Sequence, residues 1–222
     1  MRNGELVSRR FDVSQAEIRE LVFDECARVV DTGNLLVIPT DTVYGIAADA
    51  FSASAVAALL SAKGRGRDMP PPVLVPRAET IFGLVDGVDE TVLALTAKFW
   101  PGPLTIIADA QPSLDWDLGD THGTVAVRMP DDESALALLA RTGPLAVSSA
   151  NISGQPAART ADEAQEMLGD DVDIYVDGGV RESGMSSTII DLSGDVPRIL
   201  RRGPITAEEL REIVPELIDL DG

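Results

Sequence analysis

An α/β fold, a mixed sheet with helices packed on it, is the class this chain predicts. Three observations lead there. Short apolar runs suited to buried strands alternate with stretches of helical period through most of the 222 residues. Three segments carry the Ser/Thr-x-x-Glu spacing of a capping box, in which side chains satisfy the free N–H groups that open a helix. Three strand patterns near the C-terminus follow one another with no helix between them, which implies some antiparallel pairing.

The elements follow in order. Ser14-Gln15-Ala16-Glu17 opens a helix with Ile18, Leu21, Val22, Cys26 and Val29 on one face, and Gly33 ends it. LLVI at 35–38 is a buried strand whose ladder stops at Pro39, releasing Thr40, Asp41, Thr42 and Tyr44 into a loop. An Ala/Val/Leu-rich helix spans 53–62, and PVLVP at 72–76 is a short strand. A helix at 89–99 precedes strands at 104–108 and 124–128, separated by a polar loop at 109–123. A helix at 132–141 precedes the strand LAVSS at 145–149. Thr160-Ala161-Asp162-Glu163 opens the next helix, strands at 173–176, 187–191 and 197–201 follow, and Thr206-Ala207-Glu208-Glu209 opens the last helix.

Composition excludes whole classes. The length suits one domain over 1–222, and 45% hydrophobic residues suffice for a core. With 18 Lys+Arg against 37 Asp+Glu the net charge is −19, which repels nucleic acid in general. The one cysteine, Cys26, has no disulfide partner and reads as a buried thiol of a reducing compartment. The N-terminal residues lack the apolar core of a signal peptide, and no apolar run is long enough to span a membrane, so a cytoplasmic location is expected. Cys/His metal-ligand spacing is absent, as are a Walker A loop and a GxGxxG after a strand.

Against that acidity, Lys63-Gly64-Arg65-Gly66-Arg67 gathers three cations in five residues. It reads equally as an anion site, with glycines admitting a ligand to the backbone, and as a solvated C-terminal helix cap. Ser148-Ser149-Ala150-Asn151-Ile152-Ser153-Gly154 lies where open α/β sheets place ligands, though an ordinary Ser/Asx turn is the simpler reading. Trp100-Pro101-Gly102-Pro103 reads as a structural turn and His122 as a surface residue. Arg128 closes one strand, and Ser187, Arg201 and Arg202 add hydroxyl and cations on late strands.

Taken in order, PTDTVYG, KGR…DMPPPVLV, KFWPGPLT, VAVRMP, SSANISG, STIID and LRRG resemble the YrdC/Sua5 family of threonylcarbamoyl-AMP synthases from about 35 to 203. The resemblance implies a twisted mixed sheet with a concave, positively charged ligand cavity. It also implies the short, single-domain form. The implied reaction joins L-threonine, bicarbonate and ATP into threonylcarbamoyl-AMP and pyrophosphate, with Mg2+ arriving on ATP. Downstream tRNA threonylcarbamoyl-transfer proteins use the product to make N6-threonylcarbamoyladenosine, and direct tRNA contact is weak or absent. The family's K-x-R and S-x-N residues match Lys63, Arg65, Ser149 and Asn151, with Lys63 and Arg65 in the electrostatic catalytic role. Thr42, Tyr44, Arg128, Ser187 and Arg201 match its substrate- and ATP-binding positions, and no residue matches a metal ligand. Gly66, Met69 and Pro71 depart from the usual pattern, and Asp41 stands where relatives often carry Glu. The rival reading is an RNA-binding module of the same fold without this activity. A carbamoyl-phosphate-using relative would carry acylphosphatase and zinc-finger segments for which this sequence has no room, and the intact K-x-R and S-x-N sets weigh against a non-catalytic regulator.

Overall fold

The computed structural model describes residues 8–220; of the N-terminal segment read above for a targeting signal, residues 1–7 lie outside the described part. The strands are β1 (Arg9–Asp12), β2 (Leu36–Ile38), β3 (Gly45–Asp49), β4 (Val73–Leu74), β5 (Leu104–Asp109), β6 (Thr124–Arg128), β7 (Leu145–Ser149), β8 (Ile174–Asp177), β9 (Thr188–Asp191) and β10 (Arg198–Arg201). The helices are α1 (Ala16–Asp31), α2 (Ala53–Ala62), α3 (Ile81–Leu84), α4 (Glu90–Phe99), α5 (Glu133–Thr142), α6 (Ala161–Leu168) and α7 (Ala207–Arg211). All ten strands join one mixed sheet in the order β1-β8-β2-β3-β7-β4-β6-β5-β9-β10. No helix among the described residues is long and apolar enough to cross a membrane.

Local signals and outcome part company at two of the three helix starts that carry a capping-box spacing. The Thr206 box forms completely: Glu209 N–H donates to Thr206 Oγ1 at 3.2 Å and Thr206 N–H to Glu209 Oε2 at 2.9 Å. At Thr160 only half forms, because Glu163 Oε2 accepts instead from Arg159 N–H at 2.6 Å. The Ser14 box does not form. Ser14 N–H donates to Asp12 Oδ1 at 2.9 Å, and Gln15 becomes the N-cap without a side-chain bond. Leu21 also leaves the expected face and is 69% exposed, while Val22, Phe23, Cys26, Val29 and Val30 are buried. Five residues of helix place Leu21 about 140° around the axis from Cys26.

The strand β3 carries little strand signal, being GIAAD. It exists because β2 and β7 flank it, both antiparallel to it. Gly45 is required there: a Cβ would stand 2.5 Å from Val147 Cγ1. Of the consecutive C-terminal strands, β9 and β10 pair antiparallel as expected, while β8 crosses to pair parallel with β1 and β2.

Strand alternation sends neighbouring side chains to opposite faces of the sheet. On one face Val37, Ile46, Val73, Ile106, Val127 and Ala146 join a core shared with α2, α4, α6 and α7. On the other, Leu36, Ile38, Ala47, Leu74, Leu145 and Val147 pack under α1 and α5. That second core draws no residue from β5, β6 or β9. Register continues the face past Leu74 to Arg128 on β6, and the same side of β6, β5 and β9 carries Ala126, Ile107, Thr105 and Ile189. No helix of that core covers this half, and a cavity occupies it.

Candidate functional site

The cavity holds about 250 Å³ and is floored by Thr105, Ile107, Thr124, Ala126, Arg128 and Ile189. Four loops or strand ends wall it. Thr40, Thr42 and Tyr44 come from the segment after β2, Arg65 and Pro70–Pro72 from the segment after α2, Ser148 and Ser149 from the end of β7, and Ser186 and Ser187 from the approach to β9. Arg201, at the end of β10, completes it. Three arginines and many hydroxyls line this space, and among the described residues no carboxylate lines it.

Each arginine is aimed by neutral or paired groups. Arg128 is 6% exposed; its Nε donates to Gly102 O at 3.0 Å, Nη1 to Thr42 Oγ1 at 3.0 Å and Nη2 to Asp41 Oδ1 at 2.5 Å. Thr40 Oγ1 sits 3.0 Å from Thr42 Oγ1, so the released loop is folded back on itself around that guanidinium. Arg201 donates through Nε to Ser187 O at 2.8 Å and through Nη2 to Ser187 Oγ at 2.9 Å, and that hydroxyl lies 2.7 Å from Thr105 Oγ1. Arg65 Nη1 donates to Ser148 Oγ at 2.8 Å, while its buried Nε has no hydrogen-bond partner among the described residues. Burial lowers the pKa of Arg201 to about 10, with repulsion from Arg128 and Arg65 adding to it. Burial likewise lowers Arg65 and Arg128, against which Asp68 and Asp41 respectively work. Cations that repel each other in a shared recess are relieved by an anion.

Lys63 and Asn151 stand behind this wall and not in it. Lys63 is 2% exposed, and its ammonium donates to the carbonyl oxygens of Ser149 and of Asn151, the latter at 2.7 Å. Burial, then the charge of Arg65, lowers its pKa to about 8. Asn151 Nδ2 donates to Ile152 O at 2.9 Å and Gln155 O at 2.8 Å, so the amide shapes the turn after β7. Tyr44 borders the cavity but is fully buried, and its hydroxyl donates to Gly179 O at 2.7 Å and accepts from Gly178 N–H at 3.0 Å. Burial raises its pKa to about 12.

The third cation of KGRGR takes a different path. Arg67 forks onto Asp117 and reaches Asp120, both in the loop between β5 and β6. Trp100-Pro101 contains a cis peptide bond and its turn supplies the Gly102 acceptor of Arg128. His122 is exposed, and Cys26 is fully buried in the core under α1, its thiol pushed up to about 12 by burial. Thr42, Tyr44, Arg65, Arg128, Ser149, Ser187 and Arg201 therefore meet around one space. Asp41 and Thr105 also belong to the site through Arg128 and Ser187, and Ser148, in the same motif as Ser149, through Arg65; all three partners lie far away along the chain.

The chain is similar in sequence and in fold to proteins of one family. The Sua5/YciO/YrdC family model, described as telomere recombination, matches residues 28–203. A Mycobacterium tuberculosis relative is 50% identical over 208 residues, covering 94% of this chain and 96% of its own. A Bacillus subtilis protein named threonylcarbamoyl-AMP synthase is 35% identical over 192 residues, 86% of this chain and 56% of its own. The crystal structure of Pyrococcus abyssi Sua5 complexed with L-threonine superposes with a TM-score of 0.87 at 33% identity, over 96% of this chain. This chain spans 62% of that one. On the family match, the identity and the shared fold, the chain belongs to the Sua5/YciO/YrdC family.

Proposed function

We propose that this chain is an L-threonylcarbamoyladenylate synthase, a nucleotidyltransferase that makes threonylcarbamoyl-AMP and pyrophosphate from L-threonine, bicarbonate and ATP. The observation that carries the reading is the cluster of Arg65, Arg128 and Arg201 in a cavity without a lining carboxylate, on a protein of net charge −19. Relatives named for this reaction, and one solved with L-threonine, give the substrate class.

The chemistry needs positioning more than a nucleophile. The amine of threonine adds to bicarbonate, and loss of water leaves a carbamate. A carbamate oxygen then attacks the α-phosphorus of ATP, and the bond to pyrophosphate breaks. Carbamate and triphosphate repel each other, so cations must hold both while charge shifts onto the leaving group. Arg65 and Arg201 are bonded to neutral serine groups, not to carboxylates, and are the cations set to take phosphate oxygens. Arg128, braced by Asp41 and Thr42, is set for a carboxylate beside the Thr40–Thr42 hydroxyls. Ser149 and Ser187 offer neutral donors between them. Lys63 and Asn151 support the reaction from behind by holding the Ser149 turn. No lining residue is a carboxylate, so in this reading Mg2+ travels with the ATP phosphates and lowers their charge when bound. The product would pass to tRNA threonylcarbamoyl-transfer proteins.

The test is pyrophosphate release by the purified chain given ATP, magnesium and bicarbonate, with and without L-threonine. Release that requires both threonine and bicarbonate is expected. Release indifferent to threonine overturns the substrate, and RNA binding without any release favours the RNA-binding module.

A further inference from the structure

We infer that Arg67 is a positioning residue that clasps the loop between β5 and β6 over one end of the cavity, and so sets how tightly ATP is held; this rests on the synthase reading. The loop runs from residue 110 to 123 without helix or strand of its own. Two of its residues, Leu118 and Thr121, line the cavity, and Leu118 is 2% exposed. The segment holding Arg65 and Pro70–Pro72 also lines it. Arg67 lies within that segment and ties the two together. Its Nη2 and Nη1 donate to Asp117 Oδ1 and Oδ2 at 2.8 and 3.1 Å, a two-pronged pair, and its Nε lies 3.4 Å from Asp120 Oδ1.

The backbones meet at the same point. Asp120 N–H donates to Arg67 O at 2.8 Å. Gly119, at φ +112°, brings the loop so close that a Cβ would stand 2.7 Å from Arg67 O. Leu118 is thus pinned between Asp117 and Asp120, the two residues that Arg67 grips. Trp116, next along, stacks on Phe51 with ring centroids 5.7 Å apart. The side chains of the clasp are about half exposed, so it adds little to global stability and is weakened by salt. A tie with those properties acts on loop order, not on folding.

The experiment compares wild type, Arg67→Ala and the charge swap Arg67→Asp/Asp117→Arg. Steady-state pyrophosphate release is measured together with hydrogen exchange of the 117–121 amides in the protein without substrate. Arg67→Ala is expected to raise KM for ATP about tenfold with kcat within about twofold, the signature of lost binding and not of lost chemistry. Its 117–121 amides should exchange faster, the swap should restore both quantities toward wild type, and added salt should loosen the loop in wild type and in the swap but not in Arg67→Ala. Unchanged exchange in Arg67→Ala, or a fall in kcat at constant KM, overturns the inference. If wild type releases no pyrophosphate the synthase reading fails, and the exchange comparison alone decides whether the clasp holds the loop.

Discussion

The ammonium of Lys63 lies 2.7 Å from the carbonyl oxygen of Asn151, behind the cavity that Arg65, two residues on, lines. The K-x-R pair is therefore divided in space: one cation braces the turn after β7, the other faces the ligand space.

That division predicts different losses. Lys63→Ala strips the donor from the Ser149 and Asn151 carbonyl groups and is expected to lower stability by about 1–3 kcal/mol, with activity lost alongside. Arg65→Ala is expected to cut kcat/KM roughly a hundred- to a thousandfold while the denaturation midpoint moves little. Denaturant titration of both variants beside pyrophosphate release separates the cases. Equal midpoints for the two would contradict the division.

Asp41 and Arg128 form an ion pair whose side chains are 13% and 7% exposed. Asp41→Ala leaves a buried guanidinium without its carboxylate and is expected to cost about 3–5 kcal/mol. Asp41→Ala combined with Arg128→Met should cost clearly less than the sum of the two single changes, since the pair acts as a unit. A double-mutant cycle by urea unfolding reads this directly, and additive losses would show that the pair is uncoupled.

Gly203 follows β10, where a Cβ would stand 2.3 Å from Thr188 N and 2.6 Å from Ser186 O. Those are backbone atoms, with no flexible side chain to give way. Gly203→Ala is expected to shift the Ser186–Ser187 segment and the Arg201 guanidinium bonded to it, lowering both melting temperature and affinity for ATP. Calorimetry of ATP binding to the variant checks it, and wild-type affinity would refute the coupling.

Alkaline pH should act through three buried groups. Cys26 is raised from 9.0 to about 12 and Tyr44 from 10.0 to about 12, both by burial, and Tyr175 is raised for the same reason. Each unfolded group loses its proton first, so its contribution is complete below about pH 9 and is lost as pH rises toward 12. Lys63, lowered from 10.5 to about 8, contributes in the opposite sense between those values. Tyr44 and Tyr175 are the chain's two tyrosines, so ultraviolet absorbance should show the whole phenol signal titrating above pH 10. Cys26→Ala should flatten part of the fall in urea midpoint. Phenol titration at the ordinary value would refute the burial argument.

Much of the fold was legible because its signals are local. The 53–62 helix and the strands at 124–128 and 145–149 appear with the expected bounds, since period and flanking residues specify them without help. The Thr206 box succeeded because both its partners were free, and the Ser14 box failed because Asp12 took the Ser14 amide. GIAAD at 45–49 has no such signal and becomes a strand only because two neighbours supply its ladders.

By itself the sequence determined the class of fold, most of the elements, the family, and the set of residues worth watching. Period, caps and ordered motifs are properties of neighbouring residues, readable along the chain. Tertiary structure alone decided that β8 crosses the sheet, that α1 and α5 stop short of β6, β5 and β9, and that a cavity opens there. It also decided that Arg65, Arg128 and Arg201 share that space while Lys63 braces it from behind and Arg67 turns to Asp117. A charge in a sequence carries no direction; its burial and its partners, far away along the chain, give it one.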